Sequence, residues 1–398
     1  MIALSLIFAR ILGYIFYKLK QPAVIGEIFA GIILGGIFLY YFTGQKVSFL
    51  NYSFYAPNLN YQSPEFYLLA QVGILFLLFI SGLETSISNL KKTGKSSTFV
   101  AIGGVLVPLF LGFLSGYLFG FSISDSIIVG LVLTATSVGV TVRTLMDLHV
   151  IDTDASTTIL SAAVIDDIIG IVLLAFAFGI GSLMDVIWIG VKIALFFLVF
   201  LYLGLKVIDK ILDLGEKVHL SKAFLSISIS ILLIYAFFAD KAGISGIVGA
   251  FIAGALVGQN FRSDKIKDDV KALGNGFFIP LFFVWVGAIL WEEASSDLSL
   301  YSSIFVFAIV IIIVSIVGKI IGCGIGAKLS GMSNLESLQI GVGMIPRMEL
   351  ALIISTAAIS HGILSEGFSH QILIVTLMLT IVTTLLAPVL IKATFKSN

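Results

Sequence analysis

Apolar segments about as long as a lipid bilayer is thick recur along the whole chain. Thirteen of them fall at residues 2–19, 22–41, 65–83, 98–119, 126–147, 156–179, 184–205, 222–239, 243–258, 273–291, 300–328, 335–359 and 369–391. A transmembrane helix needs about 20 predominantly apolar residues. Only 12% of the 398 residues are charged, against roughly a quarter in soluble domains. We therefore predict an all-α polytopic membrane protein with about 13 transmembrane helices.

Lysine and arginine are distributed unequally between the loops that join these segments. Assigning them to alternate loops, with residues near segment ends counted in the adjoining loop, places seventeen of the 23 on one side and only Lys46 and Lys241 on the other. The remaining four lie inside segments: Arg10, Lys192, Lys319 and Arg347. Cytoplasmic loops carry the excess of lysine and arginine. The bias predicts a multi-pass cell-membrane protein whose C-terminus is cytoplasmic and, for thirteen spans, whose N-terminus is outside.

Composition and motifs argue against several other classes of protein. The formal net charge is zero, so no basic field points to a nucleic-acid partner. Neither a nucleophile–base pair nor a histidine or cysteine cluster with metal-ligand spacing is present, so we expect neither an enzyme nor a cofactor. The run Gly322–Ala327 (GCGIGA) fits a loose dinucleotide fingerprint but lies inside an apolar segment. Small residues there more often permit close helix packing.

Five charged residues lie deep inside the apolar segments: Asp166, Asp167, Lys319, Arg347 and Glu349. A charge at the bilayer centre costs at least about 2.5–3.5 kcal/mol, and such residues usually serve a function. Adjacent residues on a helix point about 100° apart, so Asp166 and Asp167 cannot both face one partner. We expect one of them to pair with a cation on a neighbouring helix and the other to face a cavity. A static ion-pair network is the alternative, and it stays open for Arg347 and Glu349.

Two of the spans carry helix-breaking residues near their centres. The fifth contains TATSVG at Thr134–Gly139, and the twelfth contains Gly341, Gly343 and Pro346. Hydroxyls compete for backbone hydrogen bonds, and proline removes a backbone donor. Interrupted helices in corresponding positions of two halves point to a transporter's binding site. The fifth and twelfth spans are seven apart, so they cross the membrane in opposite directions. This arrangement is typical of inverted repeats, which here would be spans four to six and spans eleven to thirteen.

Six motifs in the chain also carry a family resemblance. They are QPAVIGEIFAGIILG, LLFISGLET, TATSVGVTVR, AAVIDDIIGIVLLA, VGKIIG and GMIPRMELALI. In their order and position in the membrane they resemble the monovalent cation/proton antiporters of the NapA and KefC type, from about residue 10 to about residue 390. The resemblance implies an inverted-repeat antiporter fold with two crossed discontinuous helices, assembled as a homodimer in the lipid bilayer.

The resemblance further implies two domains that move against each other. The dimerisation domain comprises residues 1–94 and 207–298, the core ion-transport domain residues 95–180 and 299–398, and helix seven, at 181–206, links them. KefC-type relatives carry a glutamine before the aspartate and a C-terminal nucleotide-binding domain. This chain has the double aspartate and ends at Asn398. We therefore expect no nucleotide-binding domain.

The acids and the lysine match positions with known roles in that family. Asp167 matches the acid that binds the cation and the transported proton. Asp166 matches the acid that pairs with Lys319, and this pair is expected to take part in proton coupling. Both aspartates are thus expected to contribute to the Na⁺ site.

The two crossover helices supply the remaining candidate residues. Thr136 and Ser137 match the positions beside the ion site, where their oxygen atoms would help to bind the ion or proton. Arg347 and Glu349 fall in the second crossover helix, in a supporting role.

These expectations define a secondary active sodium/proton antiporter that works by alternating access and serves sodium transport and pH homeostasis. It would exchange Na⁺ or Li⁺ for H⁺, electrogenically, because Asp166 and Lys319 supply a second group that changes protonation. An exchanger of K⁺ or of mixed monovalent cations for H⁺ is the alternative. A passive channel or a membrane sensor belongs to a different class, and interrupted helices around buried acids argue against it.

Overall fold

The computed structural model describes residues 1–38, 46–49, 52–55, 60–61, 63–85, 87–177, 183–217, 222–243, 245–260, 263–294, 301–360, 362–365 and 368–395. The α-helices are α1 (Ile2–Lys18), α2 (Ala23–Ile32), α3 (Pro64–Glu84), α4 (Ile87–Leu118), α5 (Ile123–Thr134), α6 (Val138–Asp147), α7 (Asp154–Ala177), α8 (Leu183–Phe196), α9 (Tyr202–Lys217), α10 (Ala223–Lys241), α11 (Gly246–Gly258), α12 (Ser263–Leu273), α13 (Ile279–Ala294), α14 (Tyr301–Leu329), α15 (Asn334–Gly343), α16 (Glu349–Ser360) and α17 (Ser369–Phe395). Short π-helical segments follow α2, α8 and α12 at Ile33–Phe38, Phe197–Leu201 and Gly274–Phe278.

The predicted helical membrane architecture is confirmed. Each of the thirteen apolar segments carries helix, and within the described residues eight helices are long and apolar enough to cross a membrane. Three shorter apolar helices accompany them, at Ala23–Gly36, Gly246–Gly258 and Leu350–Ile359. The exact number of thirteen spans stays a prediction.

A short hairpin is the exception to the all-α prediction. Strand β1 (Lys46–Phe49) pairs antiparallel with β2 (Tyr52–Tyr55), with Lys46 opposite Tyr55. Valine, phenylalanine and tyrosine favour extended backbone, and the pair lies in the long loop between the second and third segments.

Both predicted helix interruptions are confirmed. The fifth span ends as α5 at Thr134 and resumes as α6 at Val138. The twelfth ends as α15 at Gly343 and resumes as α16 at Glu349. The hydroxyl cluster at Thr134–Ser137 and the residues Gly343 and Pro346 therefore interrupt their helices, as the local composition predicts.

Two of the predicted domain limits fall inside helices. The limit between residues 94 and 95 lies within α4, which begins at Ile87, and the limit between 206 and 207 lies within α9. The sequence indicates loops there because lysines interrupt the apolar pattern. A helix can nevertheless continue beyond the bilayer, where water solvates its lysines.

Glycines bring several helices into backbone contact. A Cβ atom at Gly322 of α14 would lie 2.2 Å from the carbonyl oxygen of Gly103 on α4. One at Gly326 would lie 2.3 Å from the carbonyl oxygen of Phe99. The GCGIGA run is thus part of one continuous helix and permits close packing, and the strand that a dinucleotide fingerprint requires does not precede it.

Candidate functional site at the crossing of two broken helices

The two helix breaks lie against each other, and hydrogen bonds between them satisfy polar backbone groups that the breaks leave free. The backbone N–H of Ser137 donates to the carbonyl of Pro346 across 2.8 Å. The Thr141 hydroxyl of α6 donates to the carbonyl of Gly343, the last residue of α15, across 2.7 Å. The start of α6 therefore lies against the end of α15. Half-helix starts carry partial positive charge and half-helix ends partial negative charge, so the crossing is polar in the middle of the fold.

Arg347 holds this crossing together from inside the second break. Its guanidinium is fully buried, donates to the backbone carbonyl of Ala135 and bonds the Ser315 hydroxyl through Nε at 3.1 Å. Its backbone N–H donates to the Thr383 hydroxyl at 3.2 Å, and its carbonyl accepts from Thr384 at 3.0 Å. These contacts suit the supporting role predicted for Arg347.

Glu349 is the first residue of α16. The prediction for its side chain lies outside the described residues.

Asp166 and Lys319 form a buried ion pair between α7 and α14. The Lys319 Nζ atom lies 3.3 Å from Oδ2 and 3.5 Å from Oδ1 of Asp166. Lys319 is fully buried and Asp166 is 4% exposed. Gly104 of α4 lies next to this pair and leaves room for Cys323 of α14, because a Cβ atom at position 104 would lie 2.5 Å from Sγ of Cys323. Sequence reasoning did not single out Gly104.

Asp167, on the adjacent face of α7, lines a cavity. The cavity has a volume of about 370 Å³, and the break residue Thr136 lines it together with Val138 and Gly139 of α6. The structure therefore directs the two aspartates to different surroundings, one to a lysine and one to a cavity.

The Thr136 hydroxyl is a second candidate ligand in this cavity. Thr136 is 6% exposed, and among the described residues its hydroxyl has no hydrogen-bond partner. Buried hydroxyls are normally satisfied, so an unsatisfied one on a residue that shares a cavity with Asp167 favours an incoming ligand. Carboxylate and hydroxyl oxygens suit a hard cation such as an alkali ion. Ser137 is buried as well, and its backbone bond to Pro346 fixes its position.

Asp240, which sequence reasoning missed, also lines the cavity. It is exposed near the end of α10, next to Lys241. In the sequence it reads as an ordinary loop charge, and only its position near the predicted outer end of a span hints at a place on an ion route.

Two broken helices crossed beside two intramembrane aspartates define a secondary transporter. The chain belongs to the sodium/hydrogen exchanger, transmembrane, family, which it matches over residues 3–396.

Relatives and a solved structure agree with this assignment. The chain is 32% identical to the Na⁺/H⁺-K⁺ antiporter GerN of Bacillus cereus, over 99% of this chain and 95% of GerN. It is 33% identical to a Na⁺/H⁺ antiporter of Enterococcus hirae, over 98% and 96% of the two chains. The structure of the sodium proton antiporter MjNhaP1 from Methanocaldococcus jannaschii shares its fold with a TM-score of 0.66. That alignment has 20% identity and covers 99% of this chain and 95% of the other.

Proposed function

We propose that the chain exchanges Na⁺ for H⁺ across the cell membrane by alternating access. The observation that carries the proposal is the cavity beside the crossing, which Asp167 and Thr136 line together, with the Thr136 hydroxyl lacking a hydrogen-bond partner among the described residues. Its sequence relatives are named as sodium/proton antiporters, which agrees with this chemistry.

A single carboxylate can make the exchange obligatory. Asp167 binds either a proton or a cation, and in both cases its charge is neutralised. If the core reorients only with a neutral Asp167, each half-cycle carries one ion or the other. The negative ends of α5 and α15 favour a cation near the crossing, and the buried Arg347 balances them.

Alternating access requires two bodies that stay intact while they move. Close helix packing at glycines indicates which helices belong together. Among the described glycines, wherever an added Cβ atom would lie within 3.0 Å of backbone, the glycine and that backbone belong to the same predicted domain, either the dimerisation domain or the core. Gly31 and Gly287 are an example in the first group, Gly103 and Gly322 in the second. Gly139 of α6 faces the other group, and it meets the flexible side chain of Ile74. This distribution supports a core domain that moves against a dimerisation domain.

The remaining parts of the proposal concern assembly and coupling. We expect a homodimer in the cell membrane, with the N-terminus outside and the lysine-rich face and the C-terminus in the cytoplasm. We expect electrogenic exchange, in which the Asp166–Lys319 pair opens as the cation binds and Lys319 releases a second proton. No cofactor is needed for such a cycle.

Exchange of K⁺ is the second candidate function. The relative GerN is named a Na⁺/H⁺-K⁺ antiporter, and it is 32% identical to this chain. Na⁺ and K⁺ use the same oxygen ligands, so the cavity chemistry fits both.

Flux through the purified protein in vesicles tests the proposal. A preset pH gradient should collapse when Na⁺ is added, and Li⁺, Na⁺, K⁺ and Rb⁺ are compared in turn. Collapse with K⁺ or Rb⁺ but not with Na⁺ would move the assignment to the second candidate. Proton flux independent of any added cation would indicate a channel and overturn the proposal.

A further inference from the structure

A second group of buried charges lies outside the ion site and joins α6 to the predicted dimerisation helices. Arg143 of α6 donates through Nη1 to the Asn275 side-chain oxygen at 2.7 Å. Its Nη2 atom lies 3.7 Å from Oε1 of Glu27 on α2. Glu27 is 1% exposed and Arg143 is 8% exposed. Asn275 belongs to the π-helical segment between α12 and α13.

Two further charges surround this contact. Arg10 of α1 lies 4.0 Å from Oε1 of Glu27 and also donates to the backbone carbonyl of Asn275. Asp147 lies 3.3 Å from Nε of Arg143, one helical turn away on α6. In the part of the chain that is described, Oε2 of Glu27 and Oδ2 of Asp147 are buried without a hydrogen-bond partner. A permanent structural network is normally satisfied throughout, so partial satisfaction fits a contact that forms and breaks.

The cavity at Asp167 lies toward the opposite face of the membrane. Helix α10 connects the two faces. At the first end of α10, Nζ of Lys222 lies 2.6 Å from Oδ1 of Asp269 on α12. Helix α12 continues into the π-helical segment that contains Asn275. The other end of α10 carries Asp240, which lines the cavity. The 19 residues of α10 rise about 28 Å, close to the thickness of a bilayer core.

We propose that Glu27, Arg143 and Asn275 form a gate that closes the lysine-rich face while Asp167 is accessible from the other face. Arg143 moves with the core, whereas Glu27 and Asn275 stay with the dimerisation helices. Reorientation of the core must therefore separate the arginine from both partners. This inference rests on the alternating access of the proposed function and adds the contact that controls which face is open.

Cysteine accessibility tests the gate without measuring transport. The chain has a single cysteine, Cys323, which is buried. A reporter is placed by Ile247→Cys, because Ile247 lines the cavity at Asp167. Glu27→Gln and, separately, Arg143→Gln should reduce the rate of its labelling by a polar maleimide severalfold, since a weakened gate favours the conformation in which this cavity is closed.

Matched controls separate gating from general effects. Asp154→Asn removes the exposed ion pair with Lys92, and it should leave labelling of the reporter unchanged. A second reporter, Ser124→Cys, is exposed in the first turn of α5, before the predicted fifth span, and should react equally fast in every variant. Unchanged labelling of Ile247→Cys in both gate variants would overturn the gate.

A cross-link covers the case in which the gate variants do not fold. Glu27→Cys combined with Arg143→Cys, in a protein without the Ile247→Cys reporter and joined by a short reducible bifunctional reagent, should stop exchange. Reduction should restore exchange, and exchange that continues while cross-linked would overturn the gate. Failure of the proposed function is distinguishable, because labelling responds to conformation whichever ion is carried.

Discussion

The Nζ atom of Lys319 lies 3.3 Å from Oδ2 of Asp166, and both side chains are buried. The next residue, Asp167, instead lines a cavity with Thr136. Two acids of identical chemistry thus occupy different electrostatic surroundings because one helical step turns the side chain by about 100°. We expect them to differ in function accordingly.

Asp167→Asn should abolish exchange and leave a folded protein. Asparagine keeps the size and the hydrogen bonding of aspartate but can neither bind a proton nor neutralise a cation. Sodium-driven proton flux in proteoliposomes measures the effect, with Asp152→Asn, an exposed aspartate, as control. Near-normal flux in purified Asp167→Asn would remove this residue from the ion site.

Thr136→Ala should raise the half-saturating Na⁺ concentration about fivefold with little change in maximum rate. Loss of one oxygen ligand corresponds to about 1 kcal/mol of binding free energy. Ser137→Ala should act in the same direction. Thr134→Ala is the control, because the Thr134 hydroxyl is already bonded to the carbonyl of Leu131 at 2.7 Å. Equal half-saturation in Thr136→Ala and wild type would place the cation elsewhere.

The rate of Na⁺-driven exchange should respond to an imposed membrane potential. Moving one net charge across the membrane corresponds to about 2.3 kcal/mol per 100 mV. Potassium–valinomycin potentials on proteoliposomes provide the measurement. The double variant Asp166→Asn, Lys319→Gln removes both charges of the pair and should lose the voltage response. Voltage-independent exchange in the wild type would mean a one-for-one cycle and a purely structural role for Lys319.

Arg347→Met should lower the free energy of unfolding by about 3 kcal/mol. Hydrogen bonds of charged groups contribute about 1.5–3 kcal/mol each, and the variant leaves the carbonyl of Ala135 unsatisfied. Arg347→Lys should not restore stability, because an ammonium group lacks the fork that reaches both Ala135 and Ser315. Thermal unfolding in detergent measures the loss, and Ser315→Ala should lose only about 1 kcal/mol. A wild-type melting temperature for Arg347→Met would show that the crossing does not depend on this side chain.

Gly322→Ala should destabilise the protein far more than Gly324→Ala. A Cβ atom at Gly322 would lie 2.2 Å from the backbone oxygen of Gly103, whereas at Gly324 the nearest contact is at 3.5 Å. The first substitution must push α14 away from α4, and the second meets ordinary contact distances. Thermal unfolding of the two variants side by side provides the test, and equal losses would contradict the packing.

The helices and their breaks could be predicted because their signals are local. Apolar length alone marks the spans, and Pro346 or a cluster of hydroxyls marks an interruption within a few residues. The same holds for Asp166 and Asp167, since a charge inside an apolar segment is visible without any partner.

Contacts between distant parts of the chain could not be predicted in this way. Arg143 lies near the end of the fifth apolar segment and is counted with the charges of the adjoining loop, yet it is buried, because Asn275 contacts it from 132 residues away. Thr136 and Asp240 line one cavity through the packing of separate helices. Residue type and spacing carry no information on which side chains such packing brings together.

The mutual hydrogen bonding of the two breaks also sets an order of events during synthesis. Thr141 leaves the ribosome 202 residues before Gly343, the carbonyl that it bonds. Until Gly343 and Pro346 have been synthesised, the break at residues 135–137 lacks its hydrogen-bond partners. An unsatisfied backbone group in lipid costs several kcal/mol. We therefore expect residues 123–147 to enter the membrane as one continuous helix. This helix would break only when α15 and the following segment dock, so the binding site is created late, in the last step of assembly.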